Sequence, residues 1–147
     1  MLFLLTGMAW LYVQPVQAQK KEIAAAKDLV KAGKNLDQAQ QNMEKLLLDS
    51  ANRANRKIWA VLYDAVRKQY EQGNEQLYLK QKYDTAKLFS LTRQLFVIAE
   101  GIDSVESIPN RKGKVEIESR KGHAEYLNQI RPNLYNCLLY TSDAADE

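Results

Sequence analysis

The chain has 147 residues, with 21 basic and 18 acidic side chains, one cysteine and one histidine. This length is enough for one modest hydrophobic core. A lone cysteine excludes an intrachain disulfide framework and a site built from several thiolates. The formal net charge is +3.

The first 18 residues are typical of a secretory signal peptide. An apolar run covers residues 2–13, Pro15 follows, and residues 16–18 form the small-residue pattern of a cleavage site. We expect cleavage between Ala18 and Gln19, export to the periplasm or cell envelope, and no stable membrane span afterwards. No Lys or Arg precedes the run, so we expect that the start lies a few residues upstream of Met1 or that an internal Met was taken as the start. A buried amphipathic or membrane-anchoring helix is the alternative.

Residues 19–136 are predicted to form an all-α domain of antiparallel helix pairs. Ala, Leu, Gln, Glu, Lys and Arg dominate this segment, and Pro109 and Pro132 are its only prolines. Apolar residues at helical spacing place a first helix over residues 20–32, ended by Gly33, and a second over residues 37–48.

A third helix is predicted to start near Asn52 or Asn55 and to end at Gly73, with Asn74 capping the next segment. Its apolar residues form a broad stripe along one side. The stripe contains Ile58, Trp59, Leu62, Ala65, Val66 and Tyr70.

The longest helical signal starts at Asp84. Six apolar residues follow at alternating spacings of three and four and predict a packing seam, which three further apolar residues widen. The seam contains Leu88, Leu91, Leu95, Ile98, Ile102 and Val105, and it is widened by Phe89, Phe96 and Ala99. Gly101 costs about 1 kcal/mol relative to Ala, so we expect a bend or fraying there. Pro109 should stop this helix.

A polar loop is predicted after Pro109, with a brief extended piece at residues 115–117. A last helix should then cover residues 119–130. Pro132 suits the first turn of a further helix.

The final 11 residues, CLLYTSDAADE, break with the preceding composition. They resemble the in-frame translation of a sequencing-library transposase adapter, with agreement at every position from Cys137 to Glu147. A natural terminus of small polar residues is the alternative. The adapter interpretation ends the natural segment near Asn136. It also removes Asp143, Asp146 and Glu147, so the net charge becomes +6 from 21 basic and 15 acidic residues.

Several stretches resemble parts of a tetratricopeptide repeat over residues 22–99. AGKNLDQAQQNMEKLL has the pattern of a second repeat helix, QKYDTAKLF echoes it, and the third helix supplies a W-x-x-L spacing. The residues concerned are Gly33, Leu36, Ala39, Met43, Trp59, Leu62, Tyr70, Gly73, Tyr83 and Ala86. The resemblance implies an exported, tetratricopeptide-like helical protein of Gram-negative bacteria that binds a protein or peptide.

Three features depart from this family pattern. The interval from Trp59 to Gly73 is too long, the helix after Asp84 outruns a repeat helix, and no Pro closes either unit. An irregular α-solenoid or helical domain without repeat ancestry is therefore the alternative.

Catalytic, cofactor-binding and metal-ligating residues are not predicted. The single histidine, His123, has no HExxH-type partner, and the sequence has no GxGxxG, GxxxxGK[ST] or GxSxG motif. We therefore expect a noncatalytic segment without a cofactor, in which His123 lies on a helix surface.

Two groups of basic residues are predicted to form a solvated surface. Aromatic residues are not interleaved with them, so a nucleic-acid partner is not expected. Attraction to an acidic envelope component or partner is the alternative. The groups are Arg53, Arg56 and Lys57, and Arg111, Lys112, Lys114, Arg120 and Lys121.

Two functional hypotheses follow. The first is a noncatalytic scaffold of the cell envelope that receives a protein or peptide on stacked helices. The second is the helical N-terminal part of a longer envelope enzyme or transport component. More helix pairs in an uninterrupted reading frame would favour the first, and a motif-bearing domain the second.

Overall fold

A computed structural model of the protein describes residues 2–136, with side chains described from residue 16 onward. The predicted all-α fold is confirmed for this part of the chain. Helical hydrogen bonding also covers residues 132–136, as Pro132 predicted. The adapter-like residues 137–147 lie outside the described residues. The elements are α1 (Leu2–Ala32), α2 (Leu36–Leu48), a 3₁₀ turn (Ser50–Asn52), α3 (Arg56–Tyr78), α4 (Thr85–Glu106) and α5 (Arg120–Ile130).

Consecutive helices pack in antiparallel fashion, and α3 lies at the centre against α1, α2 and α4. α1 and α3 run parallel, because Gln19 donates to Asn52 just before α3, and Lys68 of α3 donates to the Val30 carbonyl near the end of α1. α5 also runs parallel to α3. The odd-numbered helices share one side of the molecule, since α3 contacts both α1 and α5, and α2 and α4 lie on the other side, joined by Gln40 and Gln94.

The core lies between these two layers. All six residues of the predicted α4 seam are buried, which confirms that periodicity. Thr92 is also buried there, and its hydroxyl donates to the Leu88 carbonyl at 2.9 Å. The largest fully buried side chains are Met43, Ile58, Leu95, Val66 and Thr92.

A chain of amide side chains ties α3, α2 and α4 together. Gln69, which is buried on α3, donates to the Gln40 side-chain oxygen at 2.8 Å, and Gln40 donates to Gln94 at 2.6 Å. Gln94 continues the chain by donating to the Ser90 hydroxyl. Because buried amides need partners, this chain fixes the relative register of the three helices.

α1 and α3 end in the same kind of turn. At Gly33, with φ +67°, the N–H of Lys34 bonds to the Leu29 carbonyl, which is a Schellman closure. At Lys80, with φ 57°, the N–H of Gln81 bonds to the Gln76 carbonyl in the same pattern. The turn that joins α1 to α2 and the turn that joins α3 to α4 thus begin with the same hydrogen-bond pattern.

The predicted end of the third helix at Gly73 is wrong, since α3 continues to Tyr78. Gly73 does not end the helix because it is a packing position, where a Cβ would overlap the Tyr83 ring. Asn74 consequently lies inside α3 and caps nothing. The residue with left-handed backbone conformation that ends α3 is Lys80, and lysine rarely adopts this conformation.

Other predicted bounds also need correction. α1 begins at Leu2 rather than residue 20, because helical hydrogen bonding continues through the Gln- and Lys-rich residues 16–22. α4 passes through Gly101 without interruption. Residues 115–117, predicted to be a brief extended piece, are neither helix nor paired strand in the structure.

The N-termini of two long helices are capped as their sequences suggest. Asn55 accepts from the N–H of Lys57 before α3, and Asp84 accepts from the N–H of Ala86 before α4. These side chains satisfy backbone donors that have no partner within the helix.

Candidate interaction surface

The side chains of α3 that point away from α2 and α4 form the floor of an open surface between α1 and α5. We call it the inner face. Its central residues, Asp64, Arg67 and Glu71, recur at spacings of three and four and so project from one side of the helix. Lys27 and Lys31 of α1 border it on one side. Tyr126 of α5 borders it on the other.

Arg67 is held in place at the centre of the inner face. Its Nε donates to Glu71 Oε1 at 2.8 Å, and its guanidinium carbon lies 4.2 Å from the centre of the Tyr126 ring. The hydrogen bond to Glu71 raises the pKa of Arg67, which stays positively charged. A planar cation with fixed orientation is suited to receive a carboxylate or a peptide carbonyl.

A hollow of about 350 Å³ lies between α1 and α3 on this face. One wall is the end of α1, whose carbonyl groups are bound by α3 side chains. Lys68 Nζ donates to the Val30 carbonyl at 2.9 Å, and Gln72 donates to the Gly33 carbonyl at 3.0 Å. These hydrogen bonds provide donors for carbonyl groups that have no partner within α1. Because they link α1 to α3, they also fix the width of the hollow.

A second hollow, of about 310 Å³, lies between the first half of α3 and α5. Its wall includes His123, whose ring lies 4.1 Å from that of Tyr63 with an interplanar angle of 31°. Burial lowers the pKa of His123, although Glu106 and Asp64 act in the opposite direction. His123 is thus an interhelical contact, which corrects the prediction that it lies simply on a helix surface.

Asp64 borders both hollows. Partial burial of its carboxyl raises its pKa, against the effect of Arg67 and His123. The inner face therefore presents the Asp64 carboxyl, whose pKa is raised, next to the positively charged Arg67.

Two tyrosine hydroxyls near this face, those of Tyr63 and Tyr126, are buried and make no hydrogen bond to the described residues. Burial raises the pKa of Tyr63 to about 12 and also raises the pKa of Tyr126. Both hydroxyls therefore stay protonated near neutral pH. By contrast, Tyr70 on the same helix accepts a hydrogen bond from Asn133 at 2.6 Å.

The position of α5 is fixed by Glu106 at the end of α4. The Glu106 carboxylate is buried and accepts from the backbone N–H groups of Glu118 and Ser119, each at 3.1 Å, and from the Ser119 hydroxyl at 2.7 Å. Burial raises its pKa, but the bonds from Ser119 and Glu118 outweigh burial, and the net pKa lies below its usual range. Arg120 and Asp103 add a second link, with Nη2 and Oδ2 2.9 Å apart.

The repeat-like positions fall mainly in the core. Leu36, Ala39 and Met43 are buried on α2, and Leu62 and Tyr70 are buried on α3. They contribute to packing between α2, α3 and their neighbours and leave the inner face to other residues.

The other five repeat-like residues form two close contacts, a turn and an exposed position. Trp59 packs on Gly101, Gly73 packs on Tyr83, and Gly33 occupies the turn after α1. Ala86 is exposed in the first turn of α4.

The residues of the predicted cleavage site, Ala18 and Gln19, lie within α1. Ala18 is exposed, whereas Gln19 is half-buried and donates to Asn52.

The described residues contain no group of three or more His, Cys, Asp or Glu side chains that could hold a metal ion. Within the same residues, no helix combines the length and apolarity needed to cross a bilayer.

Comparisons with protein-family models, curated proteins and solved structures found no match to this chain.

Sequence reasoning did not select Tyr63, Arg67, Tyr126 or Glu106. A signal for Arg67 was present, because Asp64, Arg67 and Glu71 repeat at helical spacing opposite the apolar stripe. Nothing local could reveal the contacts of Tyr63 and Tyr126, since their partners lie on a helix about 60 residues away in sequence.

Proposed function

We propose that the protein is a noncatalytic scaffold of the bacterial cell envelope that binds a protein or peptide on its inner face. The observation that carries this proposal is the fixed Arg67, which lies between Glu71 and the Tyr126 ring beside a hollow of about 350 Å³. Preorganised charged and aromatic side chains on rigid helices lower the entropic cost of binding.

The mixture of charges suggests how a peptide would lie. Lys27, Lys31 and Arg67 can receive carboxylates or carbonyl groups, and Asp64 can receive an N–H or a cationic side chain. The side chain of Val30 borders the same hollow and can contact an aliphatic side chain of the ligand. An extended or helical segment of mixed polarity is the ligand that this surface favours.

Selection from a displayed peptide library tests the proposal. Binders selected on the full chain should lose most of their affinity for a K27E/D64K variant, because its substitutions invert the charge pattern of the inner face. An E44K/R93E variant is the matched control. Its two residues border a hollow of about 400 Å³ between α2 and α4, and its net charge change is also zero.

Two results would reject the inner face as the binding surface. One is a set of binders that tolerates K27E/D64K, and the other is equal loss in E44K/R93E. Circular dichroism of each variant separates loss of binding from loss of helix.

The envelope location is part of the proposal and rests on the signal-like sequence of residues 1–18. Expression in a Gram-negative host from a restored upstream start, followed by N-terminal sequencing of the periplasmic fraction, should give Gln19 as the first residue. Uncleaved protein confined to the cytoplasm would contradict export.

A further inference from the structure

One end of the helix bundle gathers basic segments that are far apart in sequence. Gln19 of α1 binds Asn52, and the Asn52 side chain binds the Leu46 carbonyl of α2. Arg56 at the start of α3 donates to the Glu116 carbonyl in the loop after α4. Five segments therefore meet at this end of the bundle. They are α1 near Gln19, the starts of α3 and α5, and the ends of α2 and α4. We call this region the basic end and define it as residues 19–22, 46–57 and 103–121.

The two basic groups noted in the sequence become one surface at this end. The region contains ten Lys or Arg residues and six Asp or Glu residues, a net charge of +4. Three of the six acids are either paired with a basic residue or buried. Asp103 pairs with Arg120, Glu116 lies 3.7 Å from Lys114, and Glu106 is buried against the start of α5. Most of the exposed charge is consequently positive.

Aliphatic side chains are exposed among these basic residues. Leu48 is 78 % exposed, Ile108 51 %, Val115 45 % and Ile117 36 %. Ile108 and the two loop residues lie on the segment that carries Arg111, Lys112 and Lys114. Exposed aliphatic groups interleaved with lysines and arginines suit the boundary between lipid headgroups and acyl chains.

The chain also enters the bundle at this end. Residues 2–13 are apolar in sequence and belong to α1, and they precede Gln19, which bonds to Asn52 at the bundle end. A segment of this composition favours a bilayer before any cleavage. The basic end is therefore the part of the folded domain that is nearest to such a segment along the chain.

We propose that the basic end docks on a bilayer surface that contains anionic phospholipids, with its lysines and arginines at the headgroups and its aliphatic side chains at the acyl boundary. Each basic side chain near an anionic bilayer adds to the attraction, and partial insertion of aliphatic groups adds a part that salt does not screen. Nucleic acid fits less well. Its single strands are bound by stacking on aromatic rings, and the nearby Trp59 packs on Gly101 and donates its indole N–H to the Arg53 carbonyl.

Sedimentation of the full chain with vesicles tests this docking. One set contains phosphatidylcholine alone, and the other contains phosphatidylcholine and phosphatidylglycerol in a roughly three-to-one ratio. The full chain should bind the anionic vesicles at least about tenfold more tightly at low salt, and the ratio should fall as salt is raised. The neutral vesicles report whatever residues 2–13 contribute by themselves.

Matched variants locate the surface. An R53Q/K57Q/R111Q/K112Q variant should lose most of the preference for anionic vesicles. A K34Q/K80Q/K82Q/K87Q variant removes the same number of charges at the opposite end and should keep it. All eight residues are exposed. An I108S/V115S/I117S variant should lose the part of the high-salt binding to anionic vesicles that exceeds binding to neutral vesicles.

Several outcomes would overturn the proposal. They are equal binding to both vesicle types, equal loss in the two charge variants, full high-salt binding by the serine variant, or binding to duplex DNA as tight as that to anionic vesicles at the same salt. Docking is separate from peptide binding on the inner face, because K27E/D64K should leave vesicle binding unchanged. Either proposal can therefore fail without the other.

Discussion

The indole ring of Trp59 lies against Gly101 so closely that a Cβ at Gly101 would be 2.5 Å from Cζ3 and 2.6 Å from Cη2. This contact joins α3 to α4 and explains why a glycine is found inside a long helix. The missing side chain is what allows the two helices to approach here.

We expect Gly101→Ala to destabilise the protein, although alanine is the better helix former. The gain in helix propensity is about 1 kcal/mol, whereas forcing a side chain into a packed contact costs about 1–3 kcal/mol. Urea unfolding should therefore show a lower midpoint with an unchanged slope. Gly122→Ala is the control, since a Cβ there has no atom within 4 Å, and it should raise stability by roughly 0.5–1 kcal/mol.

A double-mutant cycle identifies the cause. In a Trp59→Leu background, the penalty of Gly101→Ala should disappear, because the overlapping ring is gone. A penalty of the same size in both backgrounds would show that Gly101 is needed for some other reason.

Gly101 also shows where sequence reasoning succeeds and where it stops. The α4 seam was predictable because its periodicity is recorded within one helix. The C-terminal ends of α1 and α2 were predictable because Gly33 and the flanking polar residues are local signals. Gly73 and Gly101 look locally like breakers, and only the rings of Tyr83 and Trp59, from other segments, make them packing sites.

The candidate surfaces were less predictable for the same reason. The basic residues around Arg53 and Arg111 were recognisable as two separate groups. Their union at one end depends on the loop after α4 folding back to bring Glu116 to Arg56. Sequence periodicity does not encode such a loop path.

Removal of the Tyr63 hydroxyl should not weaken the fold. Since this buried hydroxyl has no hydrogen-bond partner among the described residues, Tyr63→Phe should be neutral or stabilising by about 1 kcal/mol. Tyr70→Phe is the matched control on the same helix. It removes the acceptor for Asn133 and should cost about 1 kcal/mol. Urea midpoints measured side by side test the contrast, and equal losses in both variants would contradict it.

Replacement of Glu106 by Gln should weaken the hydrogen bonds that hold the start of α5 against α4 and lower the free energy of unfolding. A neutral amide cannot reproduce both oxygens that accept from Glu118 and Ser119, so we expect a loss of about 1–3 kcal/mol at neutral pH. Glu125→Gln changes an exposed carboxylate on α5 and should stay within roughly 0.5 kcal/mol of the parent.

The effect of Glu106→Gln should depend on pH. The folded-state pKa of Glu106 is lowered, so its stabilising contribution is complete above the ordinary pKa of 4.5 and is lost as pH falls through the lower folded value. The parent and the variant should therefore converge in acid. A stability gap that is constant down to strongly acidic pH would show that charge plays no part in this contact.

His123 provides a test of the contact between α5 and α3 in a different pH range. Its pKa is lowered by burial, and the groups around it are Tyr63, Asp64 and Arg67 on α3 and Glu106 on α4. Below its ordinary pKa of 6.5, the unfolded chain takes up a proton that the folded chain resists. The stability contributed by neutral His123 is therefore present above this pH and is lost as pH falls through the folded value.

His123→Phe should preserve the ring contact with Tyr63 and remove this titration. The free energy of unfolding of the parent should fall relative to that of the variant between about pH 7 and pH 5. Proton NMR of the single histidine gives an independent measurement, since its midpoint should lie below 6.5 in the folded protein and rise when Tyr63→Ala exposes the ring. Asp64 is retained in both chains, but His123 contributes to its pKa, so the NMR midpoint of His123 is needed to separate the two titrations. An equal pH dependence in parent and variant, or a midpoint at the ordinary value, would mean that α5 does not bury His123 against α3.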